Sequence, residues 1–107
     1  MNNSIHERDW KALKKIRQET LEMLCARINE EGREILDSED SSEHEKYLAL
    51  YRHLDKSDDI VADCFNDWRR SNAKFKLLFL QREGLLSDSH IQNFSEEIQF
   101  LLQEFWK

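Results

Sequence analysis

The 107-residue sequence has no proline and only two glycines, Gly32 and Gly84. Tight hairpin turns and phosphate-binding loops depend on these residue types, so β-sandwiches, β-barrels and nucleotide folds with a glycine-rich loop are disfavoured. No apolar run approaches the roughly 20 residues that a membrane span requires. Residues 1–7 also lack the basic start and apolar middle of a secretory signal. We therefore expect an all-α protein with no membrane partner.

Cysteine is nearly as scarce, and the charge is unevenly distributed. Cys25 and Cys64 match neither a disulfide framework nor a closely spaced metal pair, which favours a reducing cytoplasm. Both lie at or beside apolar stripes, where cysteine acts as a small hydrophobe. The formal net charge is −6. Residues 28–67 contain 13 acidic and 4 basic side chains, whereas residues 68–82 contain five basic ones and no acidic one. Such a separation favours pairing within or between chains.

The spacing of apolar residues predicts a long first helix over residues 4–36. Apolar side chains recur three or four apart from Trp10 to Ile35, and Ser4 with Glu7 matches a capping box. A helix of about 30 residues would be roughly 45 Å long. Its apolar stripe is narrow, nearer to a coiled-coil seam than to a globular face.

A second long helix is predicted after a polar, acidic connector over residues 37–42. Ser42 and Glu45 match another capping box, and the apolar spacing continues to about Arg70. We predict one helix over 43–70, with a break at Ser57, itself a suitable cap, as the alternative. The two helices would form a long antiparallel hairpin, here termed the stalk (residues 4–70).

The C-terminal third is predicted to be a small helical head over residues 73–106. The segment from Phe75 to Leu80 is apolar on nearly all sides, which predicts burial, and Gly84 suits a left-handed helix end. Ser87 and Ser95 are suitable caps for a short turn and a last helix. Residues 1–107 would thus form a single domain.

Residues able to carry catalysis form no convincing pattern. The four histidines lack metal-ligand spacing, so we expect them to be solvated. The cysteines and serines match no nucleophile motif. We expect no catalytic residue, no metal site and no cofactor, and a protein that is not an enzyme.

The spacing of the carboxylates supports an alternative function, that of a metal-dependent enzyme. Glu19–Glu22 and Glu31–Glu34 lie three apart, and Asp59, Asp63 and Asp67 lie four apart. All-α nucleotide pyrophosphatases bind Mg²⁺ through such pairs on facing helices. Because 22 of 107 residues are acidic, such pairs also arise by chance, and a solvated helix face is the favoured interpretation. A Mg²⁺-dependent nucleotide pyrophosphatase remains the alternative.

Nucleic acid is not an expected partner. A basic surface would have to come from residues 68–82, namely Arg69, Arg70, Lys74, Lys76 and Arg82 with Trp68 and Phe75. The acidic net charge and the apolar surroundings of both lysines argue against this function, as does the lack of a helix-turn-helix glycine turn.

A protein-interaction role is favoured instead, because a long hairpin leaves apolar surface that a second copy of the chain can cover. The expected dimer interface comprises Trp10, Leu13, Leu24, Ile28, Tyr47, Leu50, Tyr51 and Leu54. The candidates for binding another protein are Tyr51, Arg52, Asp58, Trp68 and Arg69. Among these, tyrosine, tryptophan and arginine are residue types enriched in interfaces.

The chain reads Arg69-Arg70-Ser71, then an apolar run from Phe75 to Leu80, then Arg82-Glu83-Gly84-Leu85-Leu86. With this pattern, residues 47–86 resemble the cyanobacterial fluorescence recovery proteins. That family is similar in length and reads Arg-Gln-Ser, then a Phe-rich apolar run, then Lys-Glu-Gly-Leu-Val. The positions that match without a gap are Arg69, Ser71, Phe75, Glu83, Gly84 and Leu85. After a shift of one residue, Leu50, Leu54, Val61 and Phe65 lie on apolar positions of the family. The resemblance implies a homodimer with a long helical stalk and a C-terminal helical head.

The resemblance does not extend to the family's functional residues. Its members bind the orange carotenoid protein and detach it from the phycobilisome, and they depend on a Trp, a His-Asp pair and an Arg of the second helix. The corresponding positions here are Leu48 or Tyr47, Tyr51, Arg52 and Asp58. The resemblance therefore implies a distant bacterial relative, a homodimeric regulatory protein with an unknown protein partner.

Overall fold

The computed structural model describes residues 4–106, which form helices and connecting turns without a strand. Five α-helices and one 3-10 turn occur in this range: α1 (Glu7–Leu36), α2 (Glu43–Phe65), the 3-10 turn (Arg70–Asn72), α3 (Ala73–Arg82), α4 (Asp88–Gln92) and α5 (Glu96–Glu104). The all-α prediction is confirmed. Within residues 4–106, no helix has the length and apolar content needed to span a bilayer.

Helix α1 begins at Glu7 rather than at Ser4, so the predicted capping box at Ser4 is wrong. His6 occupies the N-cap position and makes no capping hydrogen bond with its side chain. Ile5 is buried in an extended segment, where its carbonyl accepts a 2.9 Å hydrogen bond from the Arg70 guanidinium. Packing of Ile5 against the 3-10 turn therefore replaces the first helical turn.

Helices α1 and α2 pack antiparallel along a seam that contains a glycine. The Nε2 atom of His53 lies 2.9 Å from the Ile28 carbonyl, and because a carbonyl only accepts, this nitrogen carries the proton. One turn farther along α1, a Cβ on Gly32 would stand 3.3 Å from Leu50 Cδ1. Gly32 therefore allows Leu50 to pack close to the α1 backbone.

Helix α2 is continuous through Ser57 but ends five residues before the predicted Arg70. Its Ser42–Glu45 capping box is confirmed, with hydrogen bonds of 3.1 and 2.8 Å. Ser57 is buried inside the helix, so the alternative break at this residue is wrong. At the other end, the C-cap residue Asn66 is already extended (φ −76°, ψ 139°), and Asp67 after it adopts a left-handed conformation with φ 58°.

The carboxyl end of α2 is capped by side chains from three other segments. Lys76 Nζ donates to the carbonyls of Asp63 and Ala62 at 2.8 and 3.4 Å. The Trp68 indole N–H donates to Cys64 O at 2.7 Å, and Arg17 donates to Phe65 O at 3.4 Å. All four terminal carbonyls thus have donors, and two of these donors are cations placed at the negative end of the helix dipole.

The predicted ends and caps of the C-terminal helices are confirmed. At the end of α3, Leu85 N–H bonds Leu80 O and Gly84 N–H bonds Gln81 O. Gly84 has φ 71°, which together with these bonds makes a Schellman motif. The side chains of Ser87 and Ser95 cap α4 and α5.

The C-terminal segment returns to α1 and bonds residues in both of its halves. The most buried link is Asp9, which is fully buried and accepts hydrogen bonds from Ser95 N and Ser95 Oγ, both at 2.7 Å. The Arg27 guanidinium donates to Glu83 O at 2.7 Å. The molecule is elongated, 54 × 27 × 25 Å, because α1 extends beyond the region that α3–α5 cover.

Candidate interaction surface

One face of α2 presents large side chains to solvent. Tyr47 and Tyr51 are each 64 % exposed and Leu54 is 47 % exposed. Their spacing of four and three residues places them on one side of the helix. We call Tyr47, Tyr51 and Leu54 the α2 stripe.

The α2 stripe is exposed because α1 packs on a different face of the same helix. The residues of α2 that face α1 include Leu50, His53 and Ser57. At 3.6 residues per turn, the stripe lies roughly 100° around the helix from this face. No second layer of helix covers it within residues 4–106, so it has the exposure expected of a surface that binds another molecule.

An open groove of about 490 Å³ runs beside the α2 stripe. It is lined by Ile28, Tyr51, Leu54, Asp55, Ser57, Asp58 and Val61. Two carboxylates, Asp55 and Asp58, border an otherwise largely apolar surface. The groove can accept an apolar side chain from a partner and orient it with polar contacts at the edge.

The eight residues of the expected dimer interface divide into three groups, which are buried, half-buried and exposed, and the exposed group is the α2 stripe. Leu13, Leu24 and Ile28 are buried inside a single chain, because α2 and the C-terminal segment already cover this side of α1. Trp10 and Leu50 are half-buried. The surface left for a second copy is therefore the α2 stripe and its flanks.

Among the candidates for partner binding, Tyr51, Arg52 and Asp58 are exposed on α2, whereas Trp68 is engaged within the chain. Its ring stacks on Phe65 with centroids 6.0 Å apart, and the Arg17 guanidinium lies 5.3 Å from the indole centroid. Its indole N–H caps α2. Trp68 therefore organises the end of α2.

Arg69 is exposed but forms an ion pair with Asp67. Its Nε donates to Asp67 Oδ1 at 3.0 Å, and Asn72 Nδ2 donates to Asp67 O at 2.7 Å. The hydrogen bond from Arg69 lowers the pKa of the Asp67 carboxyl below its usual range. These contacts stabilise the left-handed Asp67 and engage Arg69 within the chain.

The other basic residues of 69–82 also have partners inside the chain. Arg70 bonds Glu7, Lys74 bonds Glu97 and Arg82 bonds Asp63, while Lys76 is buried at the end of α2. This segment therefore presents few free charges to a polyanion.

The carboxylates of the alternative, metal-dependent function are not brought together. Glu19 accepts from His90 at 3.1 Å and Asp63 pairs with Arg82. Within residues 4–106, no group of three or more His, Cys, Asp or Glu residues has the arrangement of a metal site.

The expectation that the histidines are solvated is wrong for His90. It is 8 % exposed, its Nδ1 accepts from Ser87 N–H at 3.1 Å and its Nε2 lies 3.1 Å from Glu19 Oε1. Since Nδ1 accepts, the neutral ring carries its proton on Nε2 and donates it to Glu19. His90 therefore caps α4 and joins it to α1.

Four aromatic residues of the C-terminal third are exposed, among them Phe75, whose segment was predicted to be buried. Phe75, Phe100, Phe105 and Trp106 are 61, 66, 52 and 48 % exposed. The burial expected of the Phe75–Leu80 segment is therefore wrong at Phe75, while Leu77, Leu78 and Leu80 are buried. The Ile98 and Leu102 spacing of α5 was the signal that Phe100 lies off the core face.

Cys64 is buried at the end of α2, and burial raises the pKa of its thiol to about 11, with the negative charge of Glu83 as the next cause. Cys25 is half-buried on α1. Both are free thiols, and the buried one has the environment of a small core residue.

Comparison of the chain with protein-family models, with curated proteins and with solved structures produced no match.

Proposed function

We propose that this chain is a non-enzymatic regulatory protein that forms a homodimer through α2 and binds a further protein, as a distant relative of the fluorescence recovery proteins. The observation that carries the proposal is the exposure of Tyr47, Tyr51 and Leu54 on one face of α2. Tyrosine and leucine at this spacing are suited to helix–helix association.

The proposal assigns the long helices and the C-terminal helices different tasks. Helices α1 and α2 are the stalk, and helices α3–α5 are the head that covers the first half of α1. The shape supports this division, because the longest dimension of 54 Å is about twice the others. The resemblance over residues 47–86 supports the same arrangement, and the two free cysteines suit a reducing cytoplasm.

The free energy of apolar burial favours a second copy as cover for the α2 stripe, provided that the half-buried residues beside the stripe are also part of the interface. Burying an apolar side chain completely contributes roughly 1.5–3 kcal/mol. The stripe residues are about half to two-thirds exposed, so those of two copies contribute about 5–10 kcal/mol. Association costs about 4–15 kcal/mol. A stable dimer must therefore also cover the half-buried Leu50 and Val61 beside the stripe.

The partner is expected to differ from that of the resembled family. The positions of the family's essential Trp, His-Asp pair and Arg carry other residues here. Tyr51 and Asp58 line the groove, and Arg52 is exposed on the same helix. These three residues would set the specificity for another protein. The alternative, a Mg²⁺-dependent nucleotide pyrophosphatase, gains no supporting observation from the placement of Glu19 and Asp63.

Light scattering during size-exclusion chromatography tests the dimer. We expect the wild-type mass to be that of two chains at micromolar concentration. Tyr51→Glu combined with Leu54→Glu should give the mass of one chain, because two charges would be buried in the interface. The pair Ala26→Glu and Asn29→Glu adds the same charge to exposed positions of α1 and should remain dimeric.

Circular dichroism of the variants verifies that the helices persist. A wild-type mass of one chain contradicts the proposal, and so does dissociation by the α1 control to the same extent as by the stripe variant.

A further inference from the structure

A second surface, remote from the α2 stripe, collects positive charge around a cleft. The cleft has a volume of about 310 Å³ and lies between the first half of α1 and α4. Its lining comprises Arg8, Lys11, Ala12, Lys15, Ile16, His90 and Asn93. This volume is at the lower end of the range for small-molecule sites.

Three cations border the cleft from one helix face. Arg8, Lys11 and Lys15 are spaced three and four residues apart, so consecutive members are neighbours on the surface of α1. Lys14 is excluded from the set because its Nζ lies 5.4 Å from the centroid of the Trp10 ring. The cleft therefore combines three positive charges with a floor of Ala12 and Ile16, whose side chains offer no competing hydrogen bond.

These cations are poorly neutralised by the chain itself. Among residues 4–106, Arg8 and Lys15 form no ion pair, and Lys11 has only a 3.9 Å contact between exposed groups with Glu7. Elsewhere, by contrast, Arg27, Arg70 and Arg82 each bond a carboxylate at 2.9–3.2 Å. In a chain with a net charge of −6, free cations around one cleft indicate a site for a negative ligand.

The opposite wall of the cleft is fixed in position. His90 Nδ1 accepts from Ser87 N–H at 3.1 Å and its Nε2 lies 3.1 Å from Glu19 Oε1, and Asn93 Nδ2 donates to Ser89 O at 3.1 Å. The carboxylate of Glu19 lies one turn beyond Lys15 on α1 and already accepts from His90. Glu19 therefore orients His90 in the wall of the cleft and leaves Lys15 available to a ligand.

We propose that this cleft binds a small multivalent oxyanion, either a phosphate-bearing molecule or a polycarboxylate. The planar guanidinium of Arg8 matches the paired oxygens of such groups, and the two lysines supply additional positive charge. This proposal goes beyond the protein-interaction function and does not depend on it, because none of the cleft residues lies on α2.

Isothermal titration calorimetry with pyrophosphate, at constant ionic strength, tests the site. We expect saturable binding of one pyrophosphate per chain, weakened about tenfold or more by Arg8→Gln with Lys15→Gln, since two charge-assisted contacts are lost. The pair Arg33→Gln and Lys56→Gln removes the same charge from exposed positions of α1 and α2 outside the cleft and should leave the affinity unchanged. All four side chains are exposed, so both variants should unfold at the wild-type temperature.

Citrate in a parallel titration distinguishes the two ligand classes. Tighter binding of pyrophosphate assigns a phosphate ligand, and tighter binding of citrate assigns a polycarboxylate. In both cases, amide chemical-shift changes should centre on Ala12, Ile16 and Asn93. The site is refuted if the wild-type protein binds neither anion saturably, if both double variants lose affinity equally, or if the shift changes centre elsewhere.

Discussion

At the scale of single residues, buried polar groups determine how the C-terminal helices join α1. Asp9 is fully buried, and its carboxylate receives the backbone N–H and the hydroxyl of Ser95. The sequence showed Ser95 as a helix cap but gave no sign that Asp9 would bond it from a distance of 86 residues. Long-range polar pairing of this kind has no periodicity, which is why sequence patterns do not reveal it.

Replacing Asp9 by alanine should lower the free energy of unfolding by about 2–3 kcal/mol, because two hydrogen bonds to a charged group are lost. Asp9→Asn retains one acceptor oxygen and should lose less. Urea denaturation gives both values. As a control, Asp55→Ala changes an exposed carboxylate and should alter stability by less than about 0.5 kcal/mol. Equal effects at the two positions would contradict this account of Asp9.

The two cysteines should differ in reactivity. With the pKa of Cys64 raised to about 11, about one thiol in a thousand is ionised at pH 8, and burial also blocks access. We expect a disulfide reagent such as Ellman's reagent to modify half-buried Cys25 in the folded protein and Cys64 only after unfolding. In the variant Cys25→Ser, Cys64 is the one thiol left to label, so its slow reaction can be measured alone. Rapid labelling of that variant under native conditions would show that Cys64 is accessible.

At the scale of elements, helix starts and stops were predictable where local chemistry decides them. The Ser42–Glu45 box and the Gly84 helix end are formed as predicted, since each depends on residues within six positions. The start at Ser4 and the end of α2 at Arg70 were wrong. Both depend on remote groups, namely Arg70 at Ile5 and Lys76 with Arg17 at the end of α2.

Acid should weaken the amino end of α2. The backbone N–H of Ser42 donates to Glu45 and lowers the pKa of this carboxyl below its usual value of 4.5. The stabilisation is complete above that value and is lost as the pH falls through the lower, folded-state pKa. We therefore expect Glu45→Gln to reduce the loss of thermal stability on acidification below about pH 4.5.

Thermal unfolding followed by circular dichroism between pH 6 and pH 3 measures this effect. Glu43→Gln is the matched control, because Glu43 lies in the same first turn outside the capping box. If the two variants change the pH profile identically, the capping box is not responsible.

The left-handed end of α3 should tolerate only certain residues. A Cβ on Gly84 would meet no atom within 4 Å, but φ at this residue is +71°. Any loss of stability in Gly84→Ala therefore comes from backbone strain alone. We expect this change to cost about 1–2 kcal/mol and Gly84→Asn to cost less. Chemical denaturation measures the order of stability of the two variants. An alanine variant as stable as the wild type would contradict the proposed backbone strain at residue 84.

At the scale of the whole molecule, the sequence predicted the helical class and an elongated shape, but not which apolar residues remain exposed. Leu13 and Leu24 were grouped with Tyr47 and Tyr51 because all follow helical spacing, yet the first two are fully covered by their own chain. Spacing identifies a face of a helix. The packing of α1 against Leu50, His53 and Ser57 of α2 decides which of two adjacent faces of α2 stays exposed.

The central claim, that a second copy covers the α2 stripe, can be tested on the tyrosines. The chain has two tyrosines in all, Tyr47 and Tyr51, so tyrosine modification reports on this surface alone. Nitration is measured by mass spectrometry across a dilution series, with hydroxyl-radical oxidation of exposed Phe100 and Trp106 as the internal reference. The account predicts that both tyrosines are protected at high concentration and become reactive on dilution, while the reference oxidation stays constant. Equal tyrosine reactivity at every concentration would contradict it.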